Sequence, residues 1–516
     1  MTQQAFVKRS SEVCGLLESC CSTSFGPLGL DQLVVSSLNT LVVTKSGWAV
    51  LSGLSSSQRC GITRYLLREL EVFDKTHGDG TSGLCIMLSR ALRHVSEHDT
   101  SPKYMILIAR ELGRIRRVLL PSITRLVGDE LGVLGKNSLL EKMLVVAKST
   151  LQGQFTPPVE RELARLVVNW VDNTIKANQR GTSLKMLVHA LQRGFNERAI
   201  CFASPGVTGG TVLGVDQIII SRPSLSRIRP QGSSLNLVRM STVRFIVMRC
   251  SINPVVHETS QKVVTSSSEE FTHAIRFTSE RIEQILVYIR DVMKVNVLLS
   301  TEELPDGALD ICLRLGMLAV QSIPRREATD ICVLARTTSI DSISELYSSA
   351  QSQVIGRCAE AKEIQLGRRA LGFHLVGIAP REVAVSASAV VCSQCIIRGP
   401  SDGLCKQYKD ALGRVFRLLS LWTSDGVGVL VPVGGVAELR FSEHFRERLS
   451  KCTANVVHKL ALETLCAGLL GVIDSLGSVG SAGAEPLVLK ERQVYHLLRV
   501  LEQMLLVDDV LVVKCG

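Results

Sequence analysis

Aromatic side chains are scarce: Phe, Tyr and Trp make up only 4% of the 516 residues. The 59 lysines and arginines outnumber the 48 acidic residues, but they are scattered rather than gathered into a stripe. Nucleic acid is held by basic surfaces interleaved with aromatic stacking platforms, so no nucleic-acid partner is expected. The formal charge of +11 reads instead as a mildly basic, solvated surface. The N-terminal Met1-Thr-Gln-Gln-Ala-Phe-Val-Lys-Arg lacks an apolar signal core, and no uninterrupted apolar run is long enough to span a bilayer. A soluble, cytoplasmic protein without membrane insertion is the expectation. Internal repeats and low-complexity tracts are missing, and residues 477–484 form the one small-residue linker of note. Cysteine is plentiful at sixteen, yet regular spacing is absent. Cys392-Ser-Gln-Cys395 is the single CxxC, and Cys405 alone does not supply the second pair that a structural zinc needs. Reduced, mostly buried thiols are expected.

What is present is enough apolar residue, 46%, to bury a large core in more than one domain. Over residues 10–24 apolar side chains recur at helical spacing, and the run stops at Phe25-Gly26-Pro27. The β-branched runs at 33–35 and 41–44 flank a turn candidate at 36–39 and read as a hairpin, after which Gly47 opens a helix. Residues 101–175 are mostly helical in period, punctuated by Pro157-Pro158 and ending in an amphipathic run at 161–175. From about residue 204 the pattern becomes α/β. Strands are expected at 217–220, 243–248, 295–299 and 317–320, with helices at 269–292 and 306–315. Strand-like runs return after Gly372, including 388–397, followed by a helix at 404–419, a strand at 428–433 and a mostly helical tail ending in a strand-like 510–513.

The stretch Thr76-His-Gly-Asp-Gly-Thr-Ser-Gly83 leads straight into the apolar helical run 84–92. Glycines let a backbone approach an anion, the following helix offers unpaired N–H groups, and Asp79 supplies one hard oxygen ligand suited to magnesium. The pattern therefore reads as a phosphate site. Plain N-terminal capping uses the same residue types, so the turn alone leaves both readings open.

Four segments occur in one order: Gly26-Pro-Leu-Gly-Leu-Asp31, Thr44-Lys-Ser-Gly47, Gly78-Asp-Gly-Thr81 and Asp410-Ala-Leu412, with Val431-Pro-Val-Gly-Gly-Val-Ala-Glu438 behind them. Together they resemble a group II chaperonin subunit over nearly the whole chain. The resemblance implies an α+β multidomain fold with a mainly helical equatorial domain (1–130 and 400–516), an intermediate domain (131–203 and 371–399) and an α/β apical domain (204–370). It implies ATP and magnesium as cofactors. Gly26, Pro27, Gly78, Gly80, Thr81, Gly434 and Gly435 would contact nucleotide, Asp79 would hold the metal, and Asp410 would activate water. On its own, Asp410 reads as an ordinary exposed helix carboxylate, but its place in the Asp-Ala-Leu motif favours the inherited site.

Departures from the family pattern bear on activity. Thr44-Lys45-Ser46-Gly47 stands where active chaperonins carry Thr-Asn-Asp-Gly, so a hydroxyl replaces a carboxylate, and Val433 stands where the family has a first glycine. Phosphoryl transfer depends on positioning metal and water, so this loss permits binding while weakening or abolishing hydrolysis and leaving Asp410 vestigial. Degenerate sequences of this kind resemble the chaperonin-like Bardet-Biedl syndrome proteins. That resemblance implies an assembly factor whose partners are other such proteins and the cytosolic chaperonin, with BBSome subunits as clients, at the centrosome or ciliary base. Two alternatives stay open, an active ATP-driven folding subunit and a nucleotide-independent scaffold. Client capture would use the apolar stripe Phe271, Ile275, Ile282, Ile285, Leu286 and Ile289, although such a stripe more often packs on its own sheet.

Overall fold

The computed structural model describes residues 3–26, 29–35, 41–55, 60–98, 102–133, 137–178, 182–204, 207–222, 239–252, 267–347, 351–367, 370–380, 390–424, 426–451, 456–477, 479–480 and 483–507. The chain divides into two compact units, one made of residues 1–168 with 407–516 and the other of residues 169–406.

In the first unit, the helices Gln3–Ser22 and Val456–Leu476 both pack against Thr81–Glu97, and Leu487–Leu505 packs against Pro102–Arg114. Thr81–Glu97 is the centre of the bundle because it is apolar nearly all round: Leu84, Ile86, Met87, Ala91 and Leu92 are fully buried. Val456–Leu476 is long and apolar enough to cross a membrane by length and composition, in a stretch where no uninterrupted run was expected. Here it is a core helix, with Ala461, Leu462, Leu465 and Leu469 buried at 0% exposure. Two short antiparallel ladders complete the unit. Gln32–Val35 pairs with Leu41–Thr44 in the register Leu33 to Val43, which is the expected hairpin, and its turn lies outside the described residues. Leu430–Pro432 pairs with Ala484–Pro486. The strand-like residues 510–513 also lie outside the described residues.

The second unit is built on a six-stranded sheet in the order Ile218–Ile220, Ala370–Ala379, Gly356–Leu366, Arg239–Met248, Val297–Ser300, Leu318–Val320. Its last three strands run parallel and are buried on both faces. Phe245, Val247, Val297 and Leu299 join one core cluster, whereas Ile246, Met248 and Leu298 join the other. A three-stranded sheet places Cys395–Gly399 between Ala199–Ala203 and Gly209–Val212. The strand expected at 388–397 is thus confined to its end: residues 390–394 join no ladder, and 388–389 lie outside the described residues. The helix expected at 269–292 is helical throughout, as Ser268–Val287 continued by a π-helical turn Tyr288–Val292.

Candidate functional site

The helix Gly61–His77 stops at Gly78, whose backbone is left-handed with φ 79°, and the helix Thr81–Glu97 begins after Gly80, left-handed at φ 84°. Glycine adopts that conformation without the steric cost borne by other residues. Packing is as restrictive as the backbone: a Cβ on Gly78 would lie 2.7 Å from the Arg414 carbonyl oxygen, and one on Gly80 would lie 2.5 Å from Gln493 Nε2. Asp79 is held between the two glycines, its Oδ1 accepting the Gly80 N–H at 2.7 Å. The first-turn N–H groups of Thr81–Glu97 have no intrahelical acceptor, which makes that end suited to an anion.

This turn borders a cavity of about 240 Å³ lined by Gly26, Ser46, Gly78, Asp79, Gly80, Thr81, Gly434 and Gly435, all within the first unit. Segments far apart in sequence therefore meet here. Asp410 is not among the lining residues. It is exposed on the helix Asp402–Trp422, and Arg414, one turn further along, lines the cavity instead. Pro27 lies outside the described residues.

The charges around the cavity are largely paired. Buried Lys490 places Nζ 2.7 Å from Glu438 Oε1 and 3.0 Å from Glu485 Oε1. Burial works against the Lys490 charge, but the two carboxylates outweigh it and hold the ammonium above its ordinary range. Burial also raises the pKa of Glu485, against the pull of Lys490. Opposite them, Asp74 Oδ1 accepts the Thr81 hydroxyl at 3.1 Å, and Asp74 Oδ2 lies 4.0 Å from Arg417. Asp74 and Asp79 are both pushed up by burial, and Arg414 opposes both shifts. Burial in turn disfavours the Arg414 charge, which Asp74, Asp79 and Asp410 support.

The phosphate end of a nucleotide fits this arrangement, since left-handed glycines and a helix N-terminus face it. Magnesium requires hard oxygen ligands in near-octahedral geometry, which in nucleotide sites one or two carboxylates, substrate phosphates and water supply. Among the described residues, Asp79 is the one lining carboxylate without an ion-pair partner and would be the residue to hold the ion, Ser46 adds a neutral hydroxyl, and Lys45, Arg414 and Lys490 line the same space. Sequence reading missed Arg414, Glu438, Glu485, Lys490 and Gln493. Arg414 had a signal, its place one turn after Asp410, whereas Gln493, whose Nε2 donates to the Gly80 carbonyl at 2.7 Å, is 413 residues distant.

Elsewhere, the apolar stripe of Ser268–Val287 divides in two. Ile282, Ile285, Leu286 and Ile289 are buried in the sheet's core, whereas Phe271 and Ile275 are 57% and 52% exposed, beside Phe277 at 61%. Cys392 and Cys395 are buried, and burial pushes the Cys392 thiol up to about 11. Among the described residues no group of three or more His, Cys, Asp or Glu side chains is arranged to hold a metal.

Comparison with known proteins places these features in context. The profile of the TCP-1/cpn60 chaperonin family matches residues 17–486. T-complex protein 1 subunit alpha of Arabidopsis thaliana is 22% identical over 498 residues, spanning 94% of this chain and 82% of that protein. Thermosome subunit 3 of Haloferax volcanii is 21% identical over 429 residues, or 82% of this chain and 73% of that one. Among solved structures, a group III chaperonin in the open state superposes with a TM-score of 0.70 at 12% identity, covering 98% of both chains.

Proposed function

Because the chain belongs to the TCP-1/cpn60 chaperonin family and has the α+β multidomain fold of a chaperonin subunit, we propose that it is a chaperonin-like assembly factor that binds nucleotide but hydrolyses it weakly or not at all. One observation supports this above others. The cavity gathers Gly26, Gly78, Asp79, Gly80, Thr81, Gly434 and Gly435 at a helix N-terminus, while Ser46 lines it where the family resemblance calls for a second carboxylate. Ser46 carries no charge, and its backbone N–H is turned to the Thr44 hydroxyl at 3.0 Å. Anchoring survives such a change better than phosphoryl transfer does. Asp410, exposed and off the lining, is assigned as a vestigial acid.

Client or partner capture is assigned to the exposed end of Ser268–Val287, where Phe271, Ile275 and Phe277 present apolar surface to solvent. The equatorial, intermediate and apical division is carried forward as part of this reading. Its finer form, assistance to BBSome assembly and ciliogenesis by a cytoplasmic protein at the centrosome or ciliary base, rests on sequence resemblance to the chaperonin-like Bardet-Biedl syndrome proteins. Gly206-Val-Thr-Gly209, residues 403–412, Leu430-Val-Pro-Val-Gly-Gly435 and residues 504–514 are nearest in pattern to the tenth of these. The chain lacks the long insertion associated with that member, which keeps the sixth and twelfth as alternatives.

The test is replacement in ciliated cells depleted of the protein, reading BBSome assembly by sedimentation. Restoration by the wild type and by Asp410→Ala alike is the expected result. Restoration by the wild type with failure of Asp410→Ala would instead favour an active ATP-dependent subunit, in which that carboxylate is needed.

A further inference from the structure

Over residues 103–126 the sequence carries six cations against a single acid, Glu111. Along the chain they look scattered, and the fold brings them into line. The segment is one continuous helical rod made of Pro102–Arg114, the π-helical turn Ile115–Leu119 and Leu120–Leu131. Its inner side is apolar and covered: Met105, Ile108, Ala109, Leu112, Ile123 and Val127 are buried, and the rod packs against Val456–Leu476 and Leu487–Leu505. The outer side faces solvent. Lys103, Arg110, Arg114, Arg117 and Arg125 are all exposed there, at spacings that recur on one side of a helix.

Most of these cations are uncommitted. Among the described residues, the ion pairs made by the cations of this stretch join Arg114 to Glu111 at 3.5 Å and Arg116 to Glu502 at 2.7 Å. Arg116 thereby turns inward, over the Tyr495 ring at 5.1 Å. Glu111, the lone acid, also lies 2.6 Å from His458 Nδ1. Between the cations stand exposed apolar side chains, Tyr104, Ile106, Leu107, Val118 and Leu126, with Val118 62% and Tyr104 51% open to solvent. A face kept only for solubility mixes both signs of charge. This one mixes a single sign with apolar surface, the combination that marks an interaction site.

We propose that this face is a peripheral docking surface for anionic lipid. Charge complementarity calls for an anionic partner, and the exposed apolar side chains call for one with an apolar layer beneath its charges. Shape selects among anionic partners. A peptide is held in a groove or at a sheet edge, whereas a single convex helix about 35 Å long offers a line of contact to a plane. The cations would meet headgroups, while Leu107, Val118 and Leu126 would reach the acyl boundary. No membrane-spanning segment is required. None of these residues lines the nucleotide cavity, so the inference stands independently of that site.

The experiment is cosedimentation of the purified full chain with vesicles of phosphatidylcholine alone and of equimolar phosphatidylcholine and phosphatidylserine, at low and high salt. Partitioning onto the anionic vesicles should exceed that onto neutral ones by at least about tenfold at low salt and fall steeply with salt. The triple variant Arg110→Gln, Arg114→Gln, Arg117→Gln should lose at least about tenfold. Removing as many exposed charges elsewhere, with Lys75→Gln, Lys176→Gln and Arg440→Gln, should change partitioning by less than about threefold. Leu107→Ser with Val118→Ser should weaken it by about threefold or more while keeping the salt dependence. Equal partitioning onto both vesicles, or equal loss in the two triple variants, would overturn the inference. So would capture by immobilised polyglutamate without vesicle binding, which would give the face to an acidic protein partner. Far-ultraviolet circular dichroism confirms folding. Should the first triple variant fail to fold, Arg110→Gln and Arg117→Gln singly decide the question: a loss of about threefold to fivefold in each supports the inference, and no loss in either overturns it.

Discussion

At the scale of single residues, Gly80 is where backbone geometry and ligand chemistry coincide. Its φ of 84° and the 2.5 Å approach of a would-be Cβ to Gln493 Nε2 both forbid a side chain. Gly80→Ala should destabilise the chain by roughly 1–3 kcal/mol, combining the left-handed cost with loss of the Gln493 bond, and should weaken ATP binding. Denaturant titration checks the first part, and a change under about 0.5 kcal/mol would contradict it. A second residue gives a pH signature. Glu327 is 8% exposed with Oε2 unpartnered, and burial raises its carboxyl from 4.5 to about 7, with Arg222 opposing the rise and Asp330 and Glu197 adding to it. A raised acid contributes stability that is full below its unfolded value near 4.5 and is lost as pH rises through about 7. Glu327→Gln should therefore exceed the wild type by roughly 2–3 kcal/mol at about pH 8 and by little at about pH 5. Equal stabilities at both pH values would contradict the assignment. The turn around Asp79 was legible because its glycines adjoin in sequence. Lys490, Glu438 and Glu485 were not, because an ion cluster assembled from separate helices and strands leaves no local pattern.

At the scale of elements, periodicity identified the hairpin, the helices at 47 and 404–419, and the parallel strands of the large sheet. It did not reveal the strand Gly356–Leu366. Ala, Glu, Lys, Arg, Gln and Leu make up most of that stretch and favour helix locally, so its place between Ala370–Ala379 and Arg239–Met248 is imposed by tertiary pairing. Nor does spacing say what covers an apolar face. The stripe of Ser268–Val287 is regular along its length, yet only the end carrying Ile282, Ile285 and Leu286 reaches the core. Replacing Phe271, Ile275 and Phe277 together by Ser should leave stability within about 0.5 kcal/mol per site, since exposed positions contribute little to the core. Recovery of partner proteins on the purified chain should fall sharply. A large drop in melting temperature would show that these residues are covered in the folded protein and would contradict the docking role.

At the scale of the whole molecule, family membership and fold follow from matches across nearly the full length, while the proposed loss of hydrolysis rests on which residues line the cavity. Ser46 lines the cavity with a neutral hydroxyl, Asp410 stands outside the lining, and Arg414 lines it. In the proposed reading this lining keeps attraction for phosphate and lacks parts needed to move it. The most direct test is ATP occupancy and ATP turnover measured on the same preparation of the purified full chain. The account predicts saturable binding, weakened in Gly80→Ala, with phosphate release no faster than that of Asp410→Ala. Steady turnover that disappears in Asp410→Ala would contradict it and identify a working chaperonin ATPase.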